Sequence, residues 1–272
     1  MAIKPKDLTE ENYYTDLHYL DVSGYKECKG TVGMRGCEER FMAHRNGEWS
    51  QPMTDPMIVG SIVDSCNDGT INEFLEAHPD VISQRGATKG QLKSTYQKGL
   101  RIFERCERDP LFHLYMSGEH QVIETGEIAG VPFKIKTDSL HDGKAIVDLK
   151  VVRDIHQTYY VPDVGHMNFI EYWNYDLQLA VYQEIHRQNT GDRLPCYIAA
   201  ADKGEVTDIA VIQIPQGIMD QRLEEVKRGV QQVKALMDGD IIPVRCETCD
   251  YCKATKVLDS IMSMDELLLD VE

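Results

Sequence analysis

No stretch of this 272-residue chain approaches the roughly 18 consecutive apolar residues of a membrane-spanning helix. The start, MAIKPKDLTEENYYTD, lacks the apolar core of an export signal, which points to a cytoplasmic protein with no membrane partner. Internal repeats and low-complexity tracts are absent. Basic charge is scarce: 29 Lys and Arg face 45 Asp and Glu, for a net charge of −16. That excludes a protein that coats nucleic acid nonspecifically, since phosphate neutralisation supplies the affinity of such proteins. It leaves room for an enzyme whose bases are gathered in one channel, or whose acids bind metal.

What is present is an ordinary folded composition. Hydrophobic residues at 42% and charged residues at 27% exclude wholesale disorder. The length allows one large domain or two small ones around a buried core. Eight cysteines without an export signal read as thiols or metal ligands, not as a disulfide framework.

Residues 1–55 are polar, with few periodic apolar positions, and read as a loop-rich arm with short helices. From Met57, the residues Ile58, Ile62, Val63 and Cys66 recur at helical spacing. A second helix is predicted over Gln91–Arg108, ended by Asp109-Pro110. The period then changes. Gln121–Glu127, Val131–Asp138 and Ala145–Val152 are β-branched runs separated by turn residues, which predicts a three-strand antiparallel meander. A helix over Glu171–Gln188 follows, then strands over Cys196–Ala201 and Asp208–Ile214. An amphipathic helix over Ile218–Met237 is stopped by Gly239. This order predicts an α/β (α+β mixed) fold, a central mixed β-sheet flanked by helices.

Asp148 and Lys150 are two apart in a predicted strand, so their side chains leave one face. Asp138 ends the preceding strand, and the Asp142-Gly143 turn brings it beside Asp148. Paired carboxylates suit a hard cation such as Mg²⁺ or Mn²⁺. Such an ion generates hydroxide and neutralises phosphodiester charge, while a lysine positions the water or steadies the transition state. The Ala-Ile-Val-Asp-Leu-Lys run is too apolar for a surface strand, so its charged face is expected to line a cleft. Downstream, Gln178 and Tyr182 are four apart and adjacent on one helical face, reaching toward bound DNA or the shell of the metal site.

The pattern Asp138…Asp148-x-Lys150, then Gln178-x-x-x-Tyr182, resembles the PD-(D/E)XK nuclease superfamily in its RecB-like branch, and within it the phage and prophage RecE-type exonucleases. The tracts Ile135–Asp138, Ile146–Lys150, Phe169–Trp173 and Tyr175–Tyr182 carry the resemblance. So does Gly60-Ser61-Ile62-Val63-Asp64, which sits where the family has Gly-x-x-x-His or Asp at the start of a helix. The resemblance spans about residues 23–256. It implies a restriction-endonuclease-like core with Asp138, Asp148 and Lys150 as catalytic residues and Asp64 as a further metal ligand. It also implies cleavage at duplex DNA ends, with 5′ strand degradation leaving a 3′ single strand for an annealing partner of RecT type. Self-association into a homo-oligomer is a further expectation. There are departures: Thr137 replaces the proline of the superfamily name, Asp148 stands where Glu is commoner, and Asp64 stands where relatives have a histidine. Glu124 and Glu127 are additional acids, and the sequence does not choose between them. The division expected is an arm over 1–56, a nuclease core over 57–240 (helical entry 57–115, sheet and helices 120–240) and a cysteine-rich tail over 241–272 packing on the core.

Cys246-x-x-Cys249-x-x-Cys252 is interleaved with charged residues, which points to a metal centre. Tetrahedral Zn²⁺ and iron–sulfur clusters both want four thiolates, so a distant cysteine must complete the set. Cys28, Cys37, Cys66, Cys106 and Cys196 are the candidates; the last three sit in apolar patterns and read as core. RecB-like nucleases of the AddB and CRISPR-associated types hold a [4Fe–4S] cluster with one early and three late cysteines. By that resemblance Cys37 is the best fourth ligand and Cys28 the second. The C-terminal spacing differs from theirs, which keeps Zn²⁺ in play.

Clustered bases are expected to form two positive walls, Lys134, Lys136, Lys150 and Arg153 on one side and Lys89, Lys93 and Lys98 on the other. Two other functions compete with the exonuclease: a catalytically weak DNA-end-binding scaffold, and a metal-cluster regulatory protein whose carboxylates form only a structural ion-pair network.

Overall fold

A computed structural model describes residues 8–265; residues 1–7 and the acidic end of the predicted tail, 266–272, lie outside the described residues. Near the N-terminus, the Asp21 side chain caps α1 (Val22–Lys29) by accepting from the Gly24 N–H. The short strands β1 (Gly30–Thr31) and β2 (Met34–Arg35) lead to α2 (Glu38–Arg45). These elements do more than the polar composition of residues 1–55 predicts. Leu20, Val22, Tyr25, Cys28 and Phe41 are buried in the main core. Spacing of three along α1 puts Val22, Tyr25 and Cys28 on one stripe, too few residues to stand out as a periodic pattern.

The helical entry consists of α3 (Asp55–Asn67), α4 (Ile71–Ala77), α5 (Ser94–Glu107) and α6 (Pro110–Met116). α5 starts three residues later than predicted. Asp109-Pro110 both ends α5 and opens α6, since the Asp109 side chain accepts from the N–H groups of Leu111 and Phe112. Gly99 lets α5 close on α3: a Cβ there would lie 2.7 Å from Ile62 Cγ2.

The sheet strands are β3 (Glu119–Ile128), β4 (Val131–His141) and β5 (Ala145–Val152), the predicted antiparallel meander. A hairpin of β6 (Tyr159–Val161) and β7 (Gly165–Met167) follows. The single helix predicted over Glu171–Gln188 is two: α7 (Phe169–Tyr172) and α8 (Tyr175–Thr190). Asn174, at φ 52°, turns the chain left-handed between them. Then come β8 (Cys196–Asp202), β9 (Ile209–Gln213), α9 (Gln216–Asp238) and α10 (Asp250–Ala254).

The five-stranded sheet runs β3-β4-β5-β8-β9. β5 and β8 are parallel, with α8 in the crossover between them, and the other pairs are antiparallel. It is the mixed sheet flanked by helices that the sequence predicts. β5 is its central strand, and alternation splits its side chains. Ala145, Val147 and Leu149 join the core under α3, α5 and α6; Ile146 and Val152 join the core under α8 and α9. Asp148 and Lys150 therefore leave the sheet on the α8 side, flanked by apolar residues. Along α9 the buried Leu223, Val226, Val230, Val233 and Leu236 each contribute about 1.5–3 kcal/mol of hydrophobic stabilisation, which holds that layer in place.

Candidate active site and metal centre

The register of β4 on β5 pairs Ser139 with Val147 and Leu140 with Ile146, so Asp138 and Asp148 stand across from each other where the ladder ends. Asp138 Oδ2 accepts from the Leu149 N–H at 2.8 Å, which fixes that carboxylate against β5. Lys150 Nζ lies 2.5 Å from Asp148 Oδ2. Asp148 is 2% exposed at its side chain and Lys150 is 18% exposed. On the far side β8 pairs Ala200 with Lys150, which keeps the space beside the ammonium open. From α8, Gln178 Nε2 donates to Asp148 Oδ1 at 2.7 Å and to the Tyr182 hydroxyl at 3.2 Å. Gln178 and Tyr182 thus meet the acidic pair as one unit.

These groups form the floor of a cleft of about 890 Å³, which Asp64, Lys134 and Lys136 also line. Asp64 does not sit at a helix start, as the resemblance implies; α3 begins at Asp55, and Asp64 is near its end. Its carboxylate nevertheless enters the cleft. The other rim comes from the N-terminal segment, including Tyr13, Tyr14 and Asp16.

Three carboxylates share this floor with one ammonium, and their electrostatics follow. Burial, then the neighbouring Asp148 carboxylate, holds Asp138 well above the ordinary carboxylate range, with Lys150 opposing. Asp64 is exposed at the cleft, and the protein packed around its carboxylate, with Asp68 and Asp148 adding to this against Lys150, raises it above the ordinary carboxylate range. Burial works against the Lys150 ammonium, but Asp148 and Asp138 outweigh it and raise Lys150 above its usual value. Asp148 Oδ2 is buried with the Lys150 ammonium as its partner. Three carboxylates against one ammonium leave surplus negative charge of the kind that a hard divalent cation neutralises, so the donor set fits such an ion.

Other expected residues fall elsewhere. Glu124 pairs with the buried His186 at 3.0 Å, and the Glu127 backbone bonds to Gln188; neither lines the cleft. Lys134 is 3% exposed and donates to the Tyr13 and Asp16 carbonyls, so it ties down the N-terminal segment instead of forming an open wall. Lys136 sits over the Tyr13 and Tyr14 rings. Arg153, Lys89 and Lys93 are exposed but do not line the cleft. Two neighbours of the site escaped the sequence reading. The Lys150 and Lys26 ammonium groups each lie 5.1 Å from the Tyr175 ring. Burial, then Lys150, lowers Lys26 to about 8. The only sequence signal for Tyr175 was its place one turn ahead of Gln178 and Leu179.

The second candidate centre joins the two ends of the chain. The Sγ atoms of Cys37, Cys246, Cys249 and Cys252 all lie within 4.8 Å of one another. Cys37 is therefore the fourth member, and Cys28 is in the main core instead. Burial pushes the Cys28, Cys106 and Cys196 thiols up to about 12, as suits core residues. In the cluster, Cys37 accepts from the Arg40 N–H, Cys246 from the Cys249 N–H and Cys249 from the Cys252 N–H. Burial opposes ionisation of Cys246, but hydrogen bonds from Thr248 and Cys249 draw it down to about 6. Sulfur separations of 3.6 Å (Cys37–Cys252) and 3.9 Å (Cys246–Cys252) match the edge of a tetrahedron around one ion, about 3.8 Å for bonds of about 2.3 Å. A four-iron cluster binds each thiolate to a different iron and spreads them farther apart.

A family model described as a PDDEXK-like domain of unknown function (DUF3799) matches residues 21–255. A crystal structure of a "putative exonuclease" from Eubacterium rectale superposes with a TM-score of 0.93 at 40% identity, covering 98% of this chain and all 100% of its own. Another solved structure, SSO0001, aligns over 76% of this chain and 96% of its own at 12% identity, with a TM-score of 0.26. Comparison with curated proteins gives no match.

Proposed function

The chain belongs to this PDDEXK-like family, and from that premise we propose that it is a divalent-metal-dependent DNA exonuclease acting on duplex ends. The observation that carries the reading is the pairing of Asp138 and Asp148 across two strands, with the Lys150 ammonium 2.5 Å from Asp148 at the floor of an 890 Å³ cleft. The exonuclease description of the 40%-identical relative supports the same reading. In it Asp138, Asp148 and Asp64 hold Mg²⁺ or Mn²⁺. When bound, the ion makes water a usable nucleophile at neutral pH and offsets phosphodiester charge. Lys150, charged over the whole working range, steadies the charge that builds on the phosphate oxygens. Gln178 positions the Asp148 carboxylate by donating to Oδ1 while Tyr182 anchors the amide. In the same reading the cysteine cluster holds a single structural ion such as Zn²⁺, with an iron–sulfur cluster as the alternative that an absorbance spectrum of pure protein separates. Degradation of one strand would leave a 3′ tail for a single-strand annealing protein of RecT type in phage-type recombination, with the enzyme cytoplasmic and assembled from copies of itself.

Purified protein with Mg²⁺ should release nucleotides from linear duplex DNA and leave a covalently closed circle intact. Equal attack on the circle contradicts end dependence. No release from either contradicts the nuclease reading.

A further inference from the structure

α5 carries a second concentration of charge outside the catalytic cleft. Lys98, Arg101, Arg105 and Arg108 follow one another at spacings of three and four, which places them within an arc of about 80° on one helical face. With the turn between β8 and β9 they line a separate cavity of about 360 Å³, where Glu205 is the one acidic residue among the lining groups. In a chain of net charge −16, four bases against two acids, Glu205 and Asp109, is a sharp reversal. Arg105 is partly neutralised by Asp109 at 3.8 Å, but Arg101 and Arg108 form no ion pair among the described residues.

The face is physically joined to the cleft. The Lys98 ammonium donates to the Lys203 carbonyl, and the Lys203 ammonium donates to the Val151 carbonyl at 2.6 Å, one residue beyond Lys150. Lys203 and Asp64 also attract each other electrostatically. We propose that this α5 face is a phosphodiester track that holds the DNA backbone beyond the catalytic cleft. The proposal rests on reading the chain as a DNA nuclease. From Lys98 to Arg108 the helix rises about 15 Å, which matches the backbone of four to five nucleotides at about 3.4 Å each. Guanidinium forks suit phosphate oxygens, and a track next to the cleft offsets the repulsion between DNA and an acidic protein.

The test is binding of a blunt duplex and of a single-stranded oligonucleotide across a salt series, with Ca²⁺ replacing Mg²⁺ to prevent cleavage. The variant Arg101→Gln/Arg108→Gln should bind roughly tenfold more weakly. Its slope of log affinity against log salt should fall by about 1.8 on duplex, or about 1.4 on single strand. Loss on the duplex alone assigns the track to incoming DNA, and loss on the single strand alone to the released strand; either supports it. Arg101→Lys/Arg108→Lys should retain the wild-type slope, because counterion release counts charges. Lys227→Gln/Lys234→Gln removes the same charge from α9 and should change nothing. The track is overturned if the α5 variant keeps the wild-type slope on both DNAs, as it would if this face bound an acidic protein instead. It is also overturned if the α9 variant loses as much. Wild-type protein that neither binds nor degrades DNA defeats the nuclease reading itself.

Discussion

Asp148 has two oxygens with different tasks. Oδ1 is held by Gln178 at 2.7 Å, and Oδ2 is buried against the Lys150 ammonium. Orientation by a neutral amide leaves the carboxylate its full charge for a cation, which a second lysine would not. Gln178→Leu strips a buried oxygen of its donor, at a cost of about 1–3 kcal/mol, and frees Asp148 from the orientation the amide imposes. We expect Mg²⁺ affinity, read by calorimetry, to fall about tenfold or more while Gln178→Glu recovers little of it. Wild-type affinity in Gln178→Leu would remove Gln178 from its positioning role. At this scale the sequence was informative. Asp138, Asp148, Lys150, Gln178 and Tyr182 share one cleft because strand and helix periodicity dictate their faces. Lys26 and Tyr175 were not legible, since their meeting depends on α1, distant in sequence, reaching the α7–α8 junction, where the Lys26 ammonium donates to the Trp173 carbonyl.

The strands and α9 were legible because each shows a regular period over enough residues to outvote local exceptions. The break between α7 and α8 was not. One left-handed residue, Asn174, redirects the chain while apolar spacing continues on both sides. The Asn168–Glu171 capping box that starts α7 could have flagged an earlier helix start. Charge placement failed for a related reason. Lys134 belongs to a β-strand whose outward face is covered by the N-terminal segment, so its ammonium serves backbone carbonyls. The bases that gather on one open face are those of α5, Lys98, Arg101, Arg105 and Arg108, of which the expected positive wall includes only Lys98.

Across the whole molecule, the cysteine cluster ties α2 to the C-terminal tail, with Cys37 and Cys252 separated by 215 positions. Spacing alone left five candidates for the fourth ligand, because no local pattern records a contact at that range. Val244 and Arg245 reinforce the junction through Glu38 and Glu39. An ion held there would close a loop of this size and remove unfolded-chain entropy on the order of 5 kcal/mol, by analogy with a disulfide. Strong chelation, or Cys249→Ser, should therefore lower the melting temperature by several degrees or more without touching the carboxylates; an unchanged melt would show that the thiols carry no structural ion. In the proposed function, activity is a separate matter, set by the floor of the cleft. The most direct test of that claim is nucleotide release from end-labelled linear duplex DNA by wild-type protein and Asp148→Ala, compared at saturating Mg²⁺ and with melting curves of both. The account predicts a folded Asp148→Ala protein with no metal-dependent release. Release at the wild-type rate by that variant would contradict it.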